Sequence, residues 1–251
     1  MNHFSKAQEL VCGSVFFLPL FVSMSATEDG RRVGVKMSVA TMLMQLGKGM
    51  ISTAEIFFLT LLFSLPLGLL VSFGRMSKNG LIRGISKFYI SIMRGTPLML
   101  QLLVVYFAPY YLFGLNLRGY RFPAIILAFS INYAAYFAEI YRGGIESMAV
   151  GQYEAAKVLG YNKVQTFFKI ILPQVIKRIL PSITNETITL VKDTSLAFVL
   201  AQAEMFTMAK QIAAKDTSMM PLMVAGLFYY VFNLLVAFVM ERIEKSMSYY
   251  R

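Results

Sequence analysis

The chain has 251 residues, of which 57% are hydrophobic and only 15% are charged, and its formal net charge is +11. This charge content is too low to cover the surface of a soluble domain of that length. A single cysteine, Cys12, excludes a disulfide within the chain, and a single histidine, His3, argues against a histidine metal site or histidine-based catalysis. The basic residues cluster in loops without any nucleic-acid motif, so we expect a membrane-embedded protein with no nucleic-acid partner.

Long apolar runs divide the sequence. Each is about twenty residues long and none alternates in polarity, which favours membrane-spanning helices over strands. We therefore predict an all-α polytopic membrane protein with five core transmembrane helices. The predicted spans are residues 51–73, 96–113, 122–138, 179–201 and 221–240.

The first fifty residues leave two interpretations open. Residues 10–26 are apolar and follow a lysine, as in a cleaved secretory signal, but they also suit an uncleaved sixth membrane helix, which we prefer. Both interpretations place residues 27–50 outside the cell, although three basic residues there run against the positive-inside rule. The expected organisation is a leader and external segment at 1–50, a transmembrane domain at 51–245 and a cytoplasmic tail at 246–251.

Charge between the first two spans sets the orientation. Residues 74–94 hold five basic residues and no acidic one, which assigns this segment to the cytoplasm. Counting spans from there places residues 139–178 and the C-terminus inside, and residues 202–220 outside.

The cytoplasmic stretch 139–178 is polar and helix-forming, unlike its apolar flanks. Two consecutive alanines at its centre favour helix and keep the surface low enough for a partner to approach. Gly160 would end a short helix in a left-handed conformation. Asn162 and Lys163 can start a second helix, and Pro173 marks its entry towards the membrane. The pattern predicts a bent helical hairpin below the bilayer.

The fourth span contains Glu186, Lys192 and Asp193. Each charge at the bilayer centre costs about 2.5–3.5 kcal/mol on insertion scales, so these side chains must face a water-filled cavity, each other or a second subunit. Glu186 and Asp193 share a helical face, and Thr189 lies close to it. Acceptors and hydroxyls there suit a positively charged group such as an ammonium, whereas the alternative is polar contact between helices only. The predicted pathway residues are Asn132, Asn185, Glu186, Thr189, Lys192, Asp193, Thr194 and Ser195, although Asn132 equally suits a hydrogen bond to neighbouring helices.

The sequence is similar to the permease subunits of ABC importers, because it has the complete spacing of their signature loop. The matching residues are Glu154, Ala155, Ala156, Gly160, Ile170, Leu172 and Pro173. Residues 94–98 with Gln101, 142–145 and 192–196 resemble the branch that carries polar amino acids. The resemblance covers about residues 49–244.

This resemblance implies a type I ABC importer permease fold in a bacterial plasma membrane, with the C-terminus in the cytoplasm. It implies two ATPase subunits, a second permease subunit, a solute-binding protein outside the membrane and a small amino-acid substrate, besides membrane lipid. The residues implied in ATPase coupling are Glu154, Ala155, Ala156, Gly160, Leu172 and Pro173. Ala134 and Thr184 stand where the family usually has glycine, which predicts looser helix contacts or less substrate space. Which amino acid is carried, and whether the second subunit is a copy or a paralogue, stays open.

The sequence lacks a nucleotide-binding loop, since its nearest pair, Gly47-Lys48, is followed by glycine rather than by a hydroxyl residue. We therefore expect no catalytic residue, no metal and no cofactor bound by this chain, with ATP and Mg²⁺ held by the partner ATPase. A secondary transporter would show more spans or inverted repeats, and a membrane enzyme would show a reactive constellation. A transport-inactive signalling subunit fits the same sequence.

Overall fold

A computed structural model describes residues 37–247, and every regular element in that range is helical. The leader expected before residue 37 and the last four residues of the tail lie outside the described range. The elements are α1 (Val39–Arg75), α2 (Gly80–Gly95), α3 (Leu98–Phe113), α4 (Arg121–Glu146), α5 (Val150–Val158), α6 (Lys163–Gln165), a π-helical segment (Thr166–Ile171), α7 (Leu172–Asp193), a 3₁₀ segment (Thr194–Leu200), α8 (Met205–Asp216) and α9 (Met220–Ser246).

The helices α1, α4 and α9 are long and apolar enough to cross a membrane, and the bent pair α2–α3 provides a fourth crossing if taken as one broken span. The fourth predicted span corresponds to α7 and the 3₁₀ segment after it, and the five charged residues of α7 make this helix less apolar than the other spans. The predicted class, an all-α polytopic membrane protein, is confirmed.

Helix α4 forms the centre of the bundle. The side chains of Phe129, Tyr133 and Phe137 are almost completely buried among α1, α3 and the 3₁₀ segment. A Cβ on Gly68 of α1 would lie 2.9 Å from the Cβ of Phe137 and 3.0 Å from the carbonyl oxygen of Ala134. The looser contact expected at Ala134 is therefore wrong, because α1 matches the alanine with a glycine of its own.

Helix α1 begins at Val39, well before the predicted start of the first span at residue 51. It has 37 residues and is about 55 Å long, which exceeds the bilayer core of about 30 Å. Its first turns pack on α8, where a Cβ on Gly49 would meet the Cα of Met205 at 2.9 Å. Residues 39–50, which the sequence assigns to an external segment, are thus a continuous extension of the membrane helix.

Helix α4 continues to Glu146, past the predicted span end at 138. Arg142 forms ion pairs with Glu139 at 2.6 Å, one turn before it, and with Glu146, one turn after it, so charged pairs extend the helix beyond its apolar part. Gly143 and Gly144 lie inside this helix.

Helices α2 and α3 meet at a 113° bend between residues 95 and 98. Pro97 is the N-cap of α3, and the side-chain amide of Gln101 closes the bend by donating to the carbonyl oxygens of Met93 and Thr96, at 3.0 and 3.2 Å. Proline at this position lacks only an N–H that has no helical partner. The bend joins the predicted basic cytoplasmic segment, which is the helix α2, to the second span.

Candidate functional site

The hairpin of residues 147–173, which the sequence predicts to be cytoplasmic, has the predicted bent form. Helix α5 ends at Val158, and Gly160 follows with φ of +78°. The N–H of Tyr161 donates to the carbonyl oxygen of Ala156 at 3.0 Å, and the N–H of Gly160 donates to that of Lys157 at 3.1 Å. These two bonds form a Schellman motif, which satisfies the last carbonyls of the helix and depends on a left-handed residue.

The second arm of the hairpin starts at Asn162. Its side chain accepts from the N–H of Gln165 at 2.9 Å, and the Gln165 side chain accepts from the N–H of Asn162 at 3.0 Å. This reciprocal capping box fixes where the arm begins. The arm then passes through the π-helical segment into α7 without a break, so Pro173 occupies the first turn of α7 rather than a separate boundary.

The predicted coupling residues take different places in this hairpin. Ala156 is buried, whereas Glu154, Ala155, Gly160 and Pro173 are exposed and Leu172 is half-buried. Part of the exposed surface of the hairpin is apolar, which is unusual for a segment expected to face water. We call this surface the hairpin patch; it consists of Val158, Leu159, Val164 and Phe168, exposed by 88%, 73%, 66% and 61%.

Helix α7 exposes polar groups along one face although it lies among the membrane spans. Asn185, Thr189 and Lys192 are exposed and follow one another at helical spacing, and we call them the polar stripe. A stripe of this kind does not suit contact with lipid tails. It suits contact with water or with a second subunit.

The acidic residues of α7 are half-buried beside this stripe. The hydroxyl of Tyr133 donates to Oδ2 of Asp193 at 2.8 Å. Glu186 lies within electrostatic range of Asp193 and of Arg94, whose guanidinium stands 5.3 Å above the ring of Tyr136. The structure thus brings Glu186 and Asp193 together, as their spacing predicts, and adds Tyr133 and Arg94.

Three other predicted pathway residues form hydrogen bonds within the bundle. Asn132 is 3% exposed, and its amide donates to Oε1 of Gln101 at 2.9 Å and to the carbonyl oxygen of Met93 at 3.1 Å. The hydroxyls of Thr194 and Ser195 each return to a carbonyl oxygen three residues earlier, at 2.7 Å. The hydrogen bonds of Asn132 thus join α4 to the α2–α3 bend.

Sequence reasoning missed the contacts at the base of the hairpin. Nη1 of Arg178 donates to the carbonyl oxygen of Ser147 at 2.6 Å and to its hydroxyl at 2.9 Å. Glu139 also approaches Arg75 of α1 at 3.7 Å. These partners are far apart in sequence, so no local sequence pattern predicts their contacts.

The structure combines a bundle of membrane helices, an exposed hairpin and a polar face on one span. This combination is typical of a membrane subunit of a transport assembly. Residues 64–249 match the model of the family described as the inner membrane component of binding-protein-dependent transport systems. The chain belongs to this family, which confirms the resemblance to ABC importer permeases, and it is a multi-pass inner-membrane protein.

Curated relatives and a solved structure agree with this assignment. The arginine transport system permease protein of Bacillus subtilis is 36% identical over 202 residues, covering 80% of this chain and 91% of the relative. The L-cystine transport system permease protein of the same organism is 35% identical over 208 residues, covering 82% and 87%. A crystal structure of an amino acid ABC transporter with histidines matches with a TM-score of 0.77 and 30% identity, over 86% of this chain and all of the other.

Proposed function

We propose that this chain is the membrane subunit of an ATP-driven importer for polar amino acids. It forms the translocation pathway together with a second permease subunit and receives substrate from a solute-binding protein outside the membrane. A separate ATPase drives it through residues 154–173. The observation that carries the proposal is the hairpin patch, an apolar surface on a stiff cytoplasmic hairpin.

The hairpin suits docking because its shape is fixed before a partner arrives. The Schellman motif and the capping box fix the turn between its two arms, and α5 contacts the π-helical segment of the second arm. A preorganised apolar surface binds with little ordering cost. The ATPase dimer would close on ATP and open after hydrolysis, and two docked hairpins would shift the equilibrium between conformations of the spans.

The polar stripe supports a pathway next to α7. A second permease subunit facing α7 would enclose the stripe and leave Glu186 and Asp193 at its edge. These carboxylates can accept hydrogen bonds from the ammonium of an amino acid, and the relatives named for arginine and cystine transport make an amino acid the expected substrate class. The substrate would thus cross between two copies or paralogues of this fold.

Charge reversal on the hairpin tests the ATPase contact. Glu154 is exposed beside the docking surface, so Glu154→Lys should abolish co-purification of a candidate ATPase subunit encoded beside this gene. The matched control is Asp216→Lys, which reverses a charge at the end of α8 on the opposite side of the membrane and should leave co-purification unchanged. Equal recovery of the ATPase with both variants would remove the docking assignment.

A further inference from the structure

Helices α4 and α7 approach each other closely at the base of the hairpin. A Cβ on Gly144 would lie 2.2 Å from Cγ2 of Ile179 and 3.2 Å from Cγ1 of Val175. Both partners are β-branched, so their side chains have little rotational freedom to move aside. The two helices are therefore in contact where the hairpin leaves the spans, with no space for one additional methyl group.

A polar contact closes the same place from the cytoplasmic side. Ser147 is the C-cap of α4, and its hydroxyl donates to the carbonyl oxygen of Gly144 at 2.7 Å. Arg178 of α7 donates to both oxygens of Ser147, at 2.6 and 2.9 Å. A cation at the C-terminal end of a helix is favourable, since that end carries a partial negative charge. Arg178 therefore caps α4 from the neighbouring helix.

An apolar cluster fills the space behind these bonds. Met148 follows Ser147 directly and is buried against Ile171, Val175 and Ile179. The side-chain amide of Gln174 also reaches the carbonyl of the Gln152 side chain on α5, at 3.4 Å. Both arms of the hairpin are thus attached to the inner end of α7.

We infer that Gly144, Ser147 and Arg178 form a clamp that makes the hairpin and the inner ends of α4 and α7 one rigid body. They are positioning residues for coupling. A displacement of the hairpin then moves α7, with Glu186 and Asp193, instead of being absorbed at the short link of Ser147 and Ala149. The role in coupling rests on the proposed function, whereas the rigidity rests on these contacts alone.

Rigidity can be measured on the chain without a partner. Spin labels at Lys157 on α5 and Leu127 on the outer part of α4 both occupy exposed positions, and Cys12→Ser removes the native thiol. The distance distribution in lipid nanodiscs should be narrow in this parent and should broaden or shift in Gly144→Ala and Arg178→Ala. The matched controls are Gly143→Ala, whose Cβ would meet open space, and Lys177→Ala, which removes a neighbouring positive charge.

Unchanged distributions in both clamp variants would overturn the clamp. If Gly144→Ala does not fold, the result for Arg178→Ala alone tests the clamp. This variant should fold, because it truncates an exposed side chain. Arg178→Lys retains the charge and one donor group, so it should restore a narrow distribution at least in part.

Coupling is measured on the complete transporter with its ATPase subunits in liposomes. The clamp variants should assemble normally but hydrolyse several-fold more ATP per solute imported than the parent, while Gly143→Ala and Lys177→Ala keep the parent ratio. If the clamp variants hydrolysed the same number of ATP molecules per solute imported as the parent, the clamp would have no positioning role. Failure of the parent chain to bind any ATPase would refute the proposed function, and the spin-label result would still decide on the clamp.

Discussion

Asp193 can serve either transport or helix packing, because it carries a charge and also accepts a hydrogen bond from Tyr133. Tyr133 is almost fully buried, and its hydroxyl bonds one carboxylate oxygen of Asp193 at 2.8 Å. The other oxygen of Asp193 accepts no hydrogen bond from the described residues. If Asp193 acts by its charge on the substrate, the charge and the tyrosine bond should have separable effects.

Two substitutions separate these effects. Asp193→Asn removes the charge and retains an acceptor for Tyr133, so it should impair amino-acid uptake without loss of assembly. Tyr133→Phe removes a hydrogen bond worth about 1.5–3 kcal/mol to a charged group and should lower thermal stability more than uptake per folded transporter. Uptake kinetics and melting temperature of both variants check this. Normal uptake by Asp193→Asn would show that the charge of Asp193 is not needed for transport and that the residue serves only as a contact between helices.

Glu204 is a fully buried carboxylate on the external side, at the start of α8. It accepts four hydrogen bonds, from the N–H groups of Phe206 and Thr207, from the Thr207 hydroxyl, all at 2.7 Å, and from the Tyr229 hydroxyl at 3.1 Å. Burial raises the pKa of the Glu204 carboxyl above its usual range, and these hydrogen bonds offset only part of that rise. The folded chain therefore retains a proton there at pH values where the unfolded chain has lost it.

This raised pKa predicts that stability falls as pH rises. The contribution of Glu204 is fully present below the pKa of the unfolded carboxyl and is lost as pH rises through the folded pKa, by at most about 1.4 kcal/mol per pH unit. Glu204→Gln lacks this ionisation, so the melting temperature of the parent relative to the variant should be lower at pH 8 than at pH 5. A constant difference across that range would contradict the prediction.

At the scale of single elements, the hairpin was predictable where its causes are local. Gly160 and Asn162 act within a few residues of themselves, so the turn and the restart follow from the sequence. The extension of α1 was not predictable, because it depends on contacts with a distant partner. The extension of α4 rests on local ion pairs of Arg142, which a pattern of apolar residues does not indicate. Gly49 is accommodated by the backbone of Met205, and Arg178 finds Ser147 across 31 positions. The π-helical segment has no local signal that we can identify.

The two glycines of the hairpin should respond in opposite directions to alanine. Gly160 has a left-handed backbone, which costs a residue with a Cβ about 1–2 kcal/mol, so Gly160→Ala should loosen the turn and weaken ATPase binding. Gly151 lies inside α5 with open space around it, and Gly151→Ala should stabilise the helix by about 0.5–1 kcal/mol. Amide exchange across residues 150–165 measures both effects. Equal protection in the two variants would argue against the strained turn.

On the scale of the whole molecule, the helices expose two kinds of surface, one apolar and one polar. Helix α9 exposes large apolar side chains such as Leu227, Leu235 and Phe238 over most of its length, as contact with lipid or with a second permease subunit requires. Helix α7 instead exposes the polar stripe. Composition predicts that such a chain is embedded in a membrane, but only the packed helices show which face of α7 points outwards. That face determines where an aqueous pathway can lie.

Thiol accessibility in the assembled transporter tests this division. In a Cys12→Ser background, Thr189→Cys should react with a membrane-impermeant charged methanethiosulfonate, because the stripe faces water. The Thr189 hydroxyl bonds only the carbonyl oxygen of Asn185, at 2.9 Å, so the cysteine should be tolerated. Phe58→Cys is the control, since Phe58 is 61% exposed among apolar side chains of α1 and should stay unreactive in lipid. The rate at which Thr189→Cys is modified should also change when nucleotide closes the ATPase, because the hairpins then move α7.

Equally slow modification of the two thiols would mean that the stripe is covered by protein or lipid and that the substrate crosses elsewhere.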